Sequence, residues 1–229
     1  MTPSSRAALT TAVLTLVAAP VWAQTETSAR AYLPALTDLP AAPYATMGMK
    51  LEKTFLKIDV LALTLRVDEQ TAERIGLVVA DHPKYERDLE APVAQLAIAP
   101  RTAIAEIEFL RGVSLDQFMD GVRDDMKKAL DAGWLEAETF AFLSDSLPVW
   151  FGFLEERRIQ DGDRLSYEVT GDTLRTVYWG SMEDEIFLDQ TDVGRQHVLA
   201  LLGAYFAPKS SFRKALVRSL WEGWDPTDP

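Results

Sequence analysis

The chain lacks cysteine altogether and has only two histidines, His82 and His197, in 229 residues. Without Cys there is no disulfide framework and no thiolate metal site, so packing alone must hold the fold. Neither histidine has an acidic or Cys partner at i,i+4 on a helix, so no metal ligand set is expected. His82 precedes Pro83 in a loop, and His197 reads as a hydrogen-bonded core imidazole rather than a catalytic base. Gly-rich phosphate cradles are missing, so no cofactor is expected, and no Gly-x-Ser-x-Gly elbow presents a nucleophile. Positive charge is scarce as well: 23 Lys and Arg stand against 35 Asp and Glu, a net charge of −12. Such a surface repels phosphate backbones and anionic lipid, which argues against a nucleic-acid partner.

What is present begins with residues 1–23. Arg6 precedes the apolar run Ala7 to Ala19, and Val21-Trp22-Ala23 forms a small-residue exit before Gln24. That order is the signature of a secretory signal peptide cleaved after Ala23, too short to remain as a membrane anchor. The expected location is therefore the periplasm or the cell exterior, with no integral span after leader removal. Residues 24–49 are rich in Ala, Pro and Thr and read as an N-terminal arm, because Pro34, Pro40 and Pro43 spoil regular structure. Residues 50–221 suffice for one domain with its own core, and 222–229 form a tail.

Within that domain, Leu56, Ile58 and Val60 alternate on one face, and Leu61, Leu63, Leu65 and Val67 continue in the opposite phase. A slip of one residue flips every side chain, so this strand must bend or bulge near Asp59 to Leu61. Asp68 caps a short helix, and a second amphipathic piece, Tyr85 to Ala99, is interrupted by Pro92. Strand alternation returns over Thr102 to Arg111. Ser114 and Gln117 form a capping box, after which Leu115, Phe118, Met119, Val122, Met126 and Leu130 draw one apolar stripe. On the far side, Asp124 and Lys128 make an i,i+4 solvent pair. Two helical pieces follow, Glu136 to Leu143 and Val149 to Arg157, parted by Leu147-Pro148. A three-strand meander then runs from Asp163 to Leu188, and helices Asp192 to Phe206 and Ser211 to Trp221 close the chain. Strands and helices do not alternate one for one, so the expected class is α+β, an antiparallel sheet with helices laid over one face.

This arrangement resembles the bacterial chalcone isomerase-like family. The likeness is carried by the bent strand Thr54 to Leu65, by Phe109-Leu110-Arg111 leading into the helix from Leu115, by Gly162-Asp163 opening the meander, and by the closing run Leu201-Leu202-Gly203 to Pro208, Ser210, Phe212 and Leu216. It implies an open-faced β-sandwich, a large antiparallel sheet under a helical layer with a cleft for an apolar small molecule between them. It also implies which groups would do chemistry. The cleft arginine of plant chalcone isomerases falls on Lys50 or Leu51, their cleft-strand threonine on Asp59, the tyrosine, lysine and asparagine of the cleft helix on Leu115, Phe118 and Val122, and the late-helix hydroxyl on Gly194. Ring closure needs a cation or donors for a developing enolate, and the apolar replacements supply none. Some relatives bind fatty acids without turnover, using arginine and tyrosine for the carboxylate; the matching arginine is missing here, and Arg111 is a conceivable substitute.

The expected function is a non-catalytic binder of an apolar or amphipathic small molecule, fatty acid-like or phenolic, with Asp59, Arg111, Leu115, Phe118 and Val122 lining the cleft. Two other readings stay open. One is an isomerase, or intramolecular lyase, in which Asp59, buried at the strand bend with a raised pKa, serves as acid or base; the same Asp59 can equally face solvent beside Lys57. The other is a partner-binding module whose cleft is filled by its own side chains. Asp161 and Asp163 read as solvated turn residues rather than a calcium or glycosidase pair, and Arg111 has its own surface reading, an exposed side chain paired with a neighbouring acid.

Overall fold

The computed structural model describes residues 42–53, 58–181 and 185–224, together with residue 39. The expected leader, most of the expected arm, Leu56 of the bent strand, the side chain of Asp59 and the expected tail from 225 lie outside the described residues. Six strands form one antiparallel sheet in chain order: β1 (Thr46–Lys53), β2 (Ile58–Val67), β3 (Thr102–Phe109), β4 (Arg164–Thr170), β5 (Thr173–Trp179) and β6 (Ile186–Val193). Seven helices are described: α1 (Glu69–Val79), α2 (Glu90–Ala97), α3 (Leu115–Asp131), α4 (Ala137–Trp150), α5 (Leu154–Arg157), α6 (Arg195–Phe206) and α7 (Arg213–Glu222). The fold is α+β, an open-faced sandwich of antiparallel sheet and helices.

The strand slip is found where the alternation breaks. Leu51 pairs with Leu61 but Glu52 pairs with Asp59, so Val60 is an extra residue, a β-bulge between the two phases. Beyond it Leu61, Leu63, Leu65 and Val67 all point to one face, matched across β3 by Phe109, Ile107, Ala105 and Ala103 and across β4 by Leu165, Tyr167 and Val169. Leu63, Leu65, Val67 and Leu165 are fully buried. The other face carries Glu106, Glu108, Arg164, Glu168 and Arg175; Arg175 grips Asp189 through two hydrogen bonds of 2.6 and 2.8 Å. Period-two patterning of this kind leaves one apolar face for helices to cover.

Local signals set two of the helix starts. Asp68 accepts a hydrogen bond from the backbone N–H of Thr71 at 2.8 Å, and its second oxygen accepts from Arg101 and Thr102, so one carboxylate caps α1 and fastens it to β3. These hydrogen bonds outweigh burial and hold its pKa below the usual value. The capping box at Ser114 and Gln117 starts α3.

Three expectations are corrected. The helix expected to break at Pro148 instead runs through it as α4. Pro148 sits in the last turn, and the Ser144 carbonyl that its missing N–H would have served accepts from the Arg123 guanidinium at 3.3 Å. The helix expected from Asp192 starts only at Arg195, because β6 continues to Val193 and Gly194 turns the chain at φ +137°. Lys128 pairs with Asp125, at 2.6 Å, not with Asp124.

The two ends of the sheet are closed differently. At the β1 edge, α7 lies alongside, and the Gly48 N–H donates to the Ser219 hydroxyl at 3.0 Å. The Trp224 ring covers Gly48 so closely that a Cβ there would fall 2.2 Å from it, and its indole N–H donates to Thr64 at 2.8 Å. At the far end of β4 and β5, Asp163 is wholly buried rather than a solvated turn residue. Its carboxylate accepts from Arg157 Nη2 (2.7 Å), the Tyr178 hydroxyl (2.6 Å) and the N–H groups of Gln160 and Ser181. Burial alone would raise its pKa, but these donors win and hold it at about 2.

Two outcomes follow for Asp163. Asp163→Asn keeps the shape but leaves the Arg157 charge uncompensated, and is expected to lower stability by about 3 kcal/mol in urea unfolding. Because the folded pKa lies below the unfolded value near 3.8, the contribution is fully present above that value and lost as pH falls towards 2. Wild type and Asp163→Asn should therefore converge in stability across that window.

Candidate functional site

Between the apolar sheet face and the helices α3, α4 and α6 lies a cavity of about 210 Å³. It follows the strands and α3 lengthwise. At one end stand Leu61, Phe109, Val113 and Phe118, and at the other Tyr167, Thr176, Asp125 and His197. The apolar end is walled by aromatic rings in edge-to-face contact, with Phe118 at 5.7 Å from Phe109 and 5.4 Å from Phe151. Gly121 lies on the α3 wall with no atom within 4 Å of where a side chain would begin, so the helix presents a gap there.

The residues expected from sequence divide. Phe118 and Val122 line the cavity from α3. Leu115, one turn earlier, packs against the main core and is not part of the wall. All three share one face of α3, but Leu115 is the first residue of the helix and lies at its end, beside the capping box and short of the cavity. Arg111 is half-buried after β3, outside the cavity wall, and its Nε is buried with no hydrogen-bond partner. Asp59 belongs to β2 next to the bulge, and its neighbour Val60 lines the cavity.

The polar end was not anticipated. Tyr167 and Thr176 are direct cross-strand partners on the inner face of β4 and β5. Tyr205 reaches in from α6, and Asp125 from α3. Burial pushes the pKa of both tyrosines up, and for Tyr205 the nearby Tyr167 and Asp125 add to it. Among the described residues neither tyrosine hydroxyl has a hydrogen-bond partner. Burial likewise raises the Asp125 pKa, opposed by Lys128. His197 sits in the first turn of α6, edge-on to Phe142 at 6.1 Å; its Nδ1 is buried without a partner, so it is not the satisfied core imidazole expected. An alternation signal did mark Tyr167 as facing the core with Leu165 and Val169, but nothing local marks a core tyrosine as partnerless. The expectation of a hollow without donors is corrected accordingly: two hydroxyl donors stand at its polar end.

His82, in its loop, approaches Glu86 at 3.4 Å and does not line this cavity. Among the described residues no group of three or more His, Asp or Glu could hold a metal ion, and no helix is long and apolar enough to cross a membrane. No protein-family model matches the chain, and no curated protein matches it in sequence. Among solved structures, a fatty-acid binding protein of Arabidopsis thaliana is similar to it, with a TM-score of 0.45 and 14% identity over 78% of this chain and 89% of that one.

Phe118→Ala removes a ring that separates cavity from core. It is expected to destabilise the protein by about 3 to 5 kcal/mol in denaturant unfolding, as buried Phe truncations do.

Proposed function

We propose that this is a chalcone isomerase-like protein that holds an apolar or amphipathic small molecule, without turnover, between sheet and helices. The observation that carries the reading is the cavity itself. A domain of this size ordinarily fills its core to crystal-like density, and a void lined by Phe109, Phe118, Val122, Leu147 and Trp150 leaves those surfaces without packing partners. A ligand supplies them. An open cavity also favours this reading over a partner-binding module with a filled cleft. We further propose that the protein acts in the periplasm or outside the cell, on the strength of the leader-like residues 1–23. Absence of turnover is supported by the apolar residues Phe118 and Val122 on the wall, where the resemblance to chalcone isomerases calls for donors.

The environment-sensitive probe N-phenyl-1-naphthylamine should brighten on mixing with the mature protein, and Val122→Trp, which fills the cavity from α3, should abolish the signal while cooperative unfolding persists. An equal signal from Val122→Trp would show that the probe binds elsewhere and remove the reading. Chalcones and other enones are expected to be recovered unchanged after incubation; conversion would move the assignment to an isomerase.

A further inference from the structure

The polar end of the cavity selects a head group, an inference that rests on the binding role proposed above. Two carboxylates, Asp125 and Asp192, stand there with the hydroxyls of Tyr167, Tyr205 and Thr176. Among the described lining residues none is Lys or Arg, and His197 is the one side chain able to carry positive charge. Arg111, the anion partner expected from sequence, is not on the wall. A carboxylate head would be desolvated beside Asp192 and beside Asp125, whose charge Lys128 offsets, and as an acceptor only it has no proton to give either carboxylate. An ammonium head fares little better: Asp125 already accepts from Lys128 Nζ at 2.6 Å and Asp192 from Gln190 at 3.2 Å, and the tyrosine hydroxyls would keep their unused donors.

A hydroxyl head meets the site on both counts, because it donates and accepts at once. Its proton can go to a carboxylate oxygen of Asp125, and its lone pairs can take the proton of Tyr167 or Tyr205. Those two phenols stay protonated at neutral pH, since burial moves them further from it. We propose that the cavity selects an uncharged amphiphile whose head is an alcohol or phenol hydroxyl, bound by Asp125, Tyr167 and Tyr205, and rejects fatty carboxylates.

The test is displacement of N-phenyl-1-naphthylamine from the mature protein at neutral pH by three ligands of equal chain length: decanol, decanoate and decylammonium. Decanol should displace the probe at a concentration lower than decanoate by about tenfold or more, the worth of one satisfied buried hydrogen bond. In the double variant Tyr167→Phe and Tyr205→Phe, the ratio of decanol affinity to probe affinity, each measured on that variant, should fall about tenfold. Decanoate or decylammonium binding as tightly as decanol, or a double variant with that ratio unchanged, overturns the proposal and leaves the binding role intact. A probe that never binds removes both. If Tyr167→Phe and Tyr205→Phe together prevent folding, Asp125→Asn in place of them should narrow the gap between decanol and decanoate, and an unchanged gap counts against the proposal.

Discussion

The two-residue alternation across six strands is the constraint from which the molecule follows. Each strand sends one set of side chains towards the helices and the other towards a charged outer face, and the antiparallel register keeps those sets aligned from β1 to β6. One residue out of phase would turn the apolar face of β2 to solvent. The bulge at Val60 absorbs that slip and so lets the hairpin of β1 and β2 keep the same inner face as the rest. Once the face exists, helices must cover it. They stand away from its centre, and a cavity results.

Most of this architecture is legible in the sequence. The phase change near Asp59 announced a bulge, Asp68 announced a helix start, and the Ser114 and Gln117 pair announced the longest helix. Such signals are local: a cap or a strand period depends on residues a few positions apart. What failed was long-range. Pro148 looked like a break because a missing N–H matters only if nothing else serves the freed carbonyl, and Arg123, on another helix, serves it. Asp163 looked solvated because its partners Arg157, Tyr178 and Ser181 come together only in the folded sheet. The site was half legible for the same reason. Phe118 and Val122 follow from helical spacing, whereas the grouping of Asp125, Tyr167 and Tyr205 joins a helix, a strand and a second helix that no window in the sequence spans.

The buried polar groups fall into two kinds with opposite physical meanings. Asp163 is well partnered, its two oxygens accepting from Arg157, Tyr178 and the N–H groups of Gln160 and Ser181, and it acts as a rivet between the helical turn α5 and the ends of β4 and β5. The hydroxyls of Tyr167 and Tyr205 and the Nδ1 of His197 are not saturated. Native cores rarely leave such groups idle. These three lie together beside the void, while the other buried atoms without a hydrogen-bond partner among the described residues, Arg111 Nε, Ser166 Oγ and Arg213 Nε, lie off the cavity wall.

Ser219 and Trp224 have a bearing on how the molecule behaves among its own kind. The first strand of an open sheet normally offers its bare amides as a template on which another chain can polymerise. Here the amide of Gly48 is already satisfied by a side chain from the C-terminal helix, and an indole lies across the same spot. Sheet extension at that border would first have to peel the last helix away, so the closing segment doubles as a guard against fibril growth.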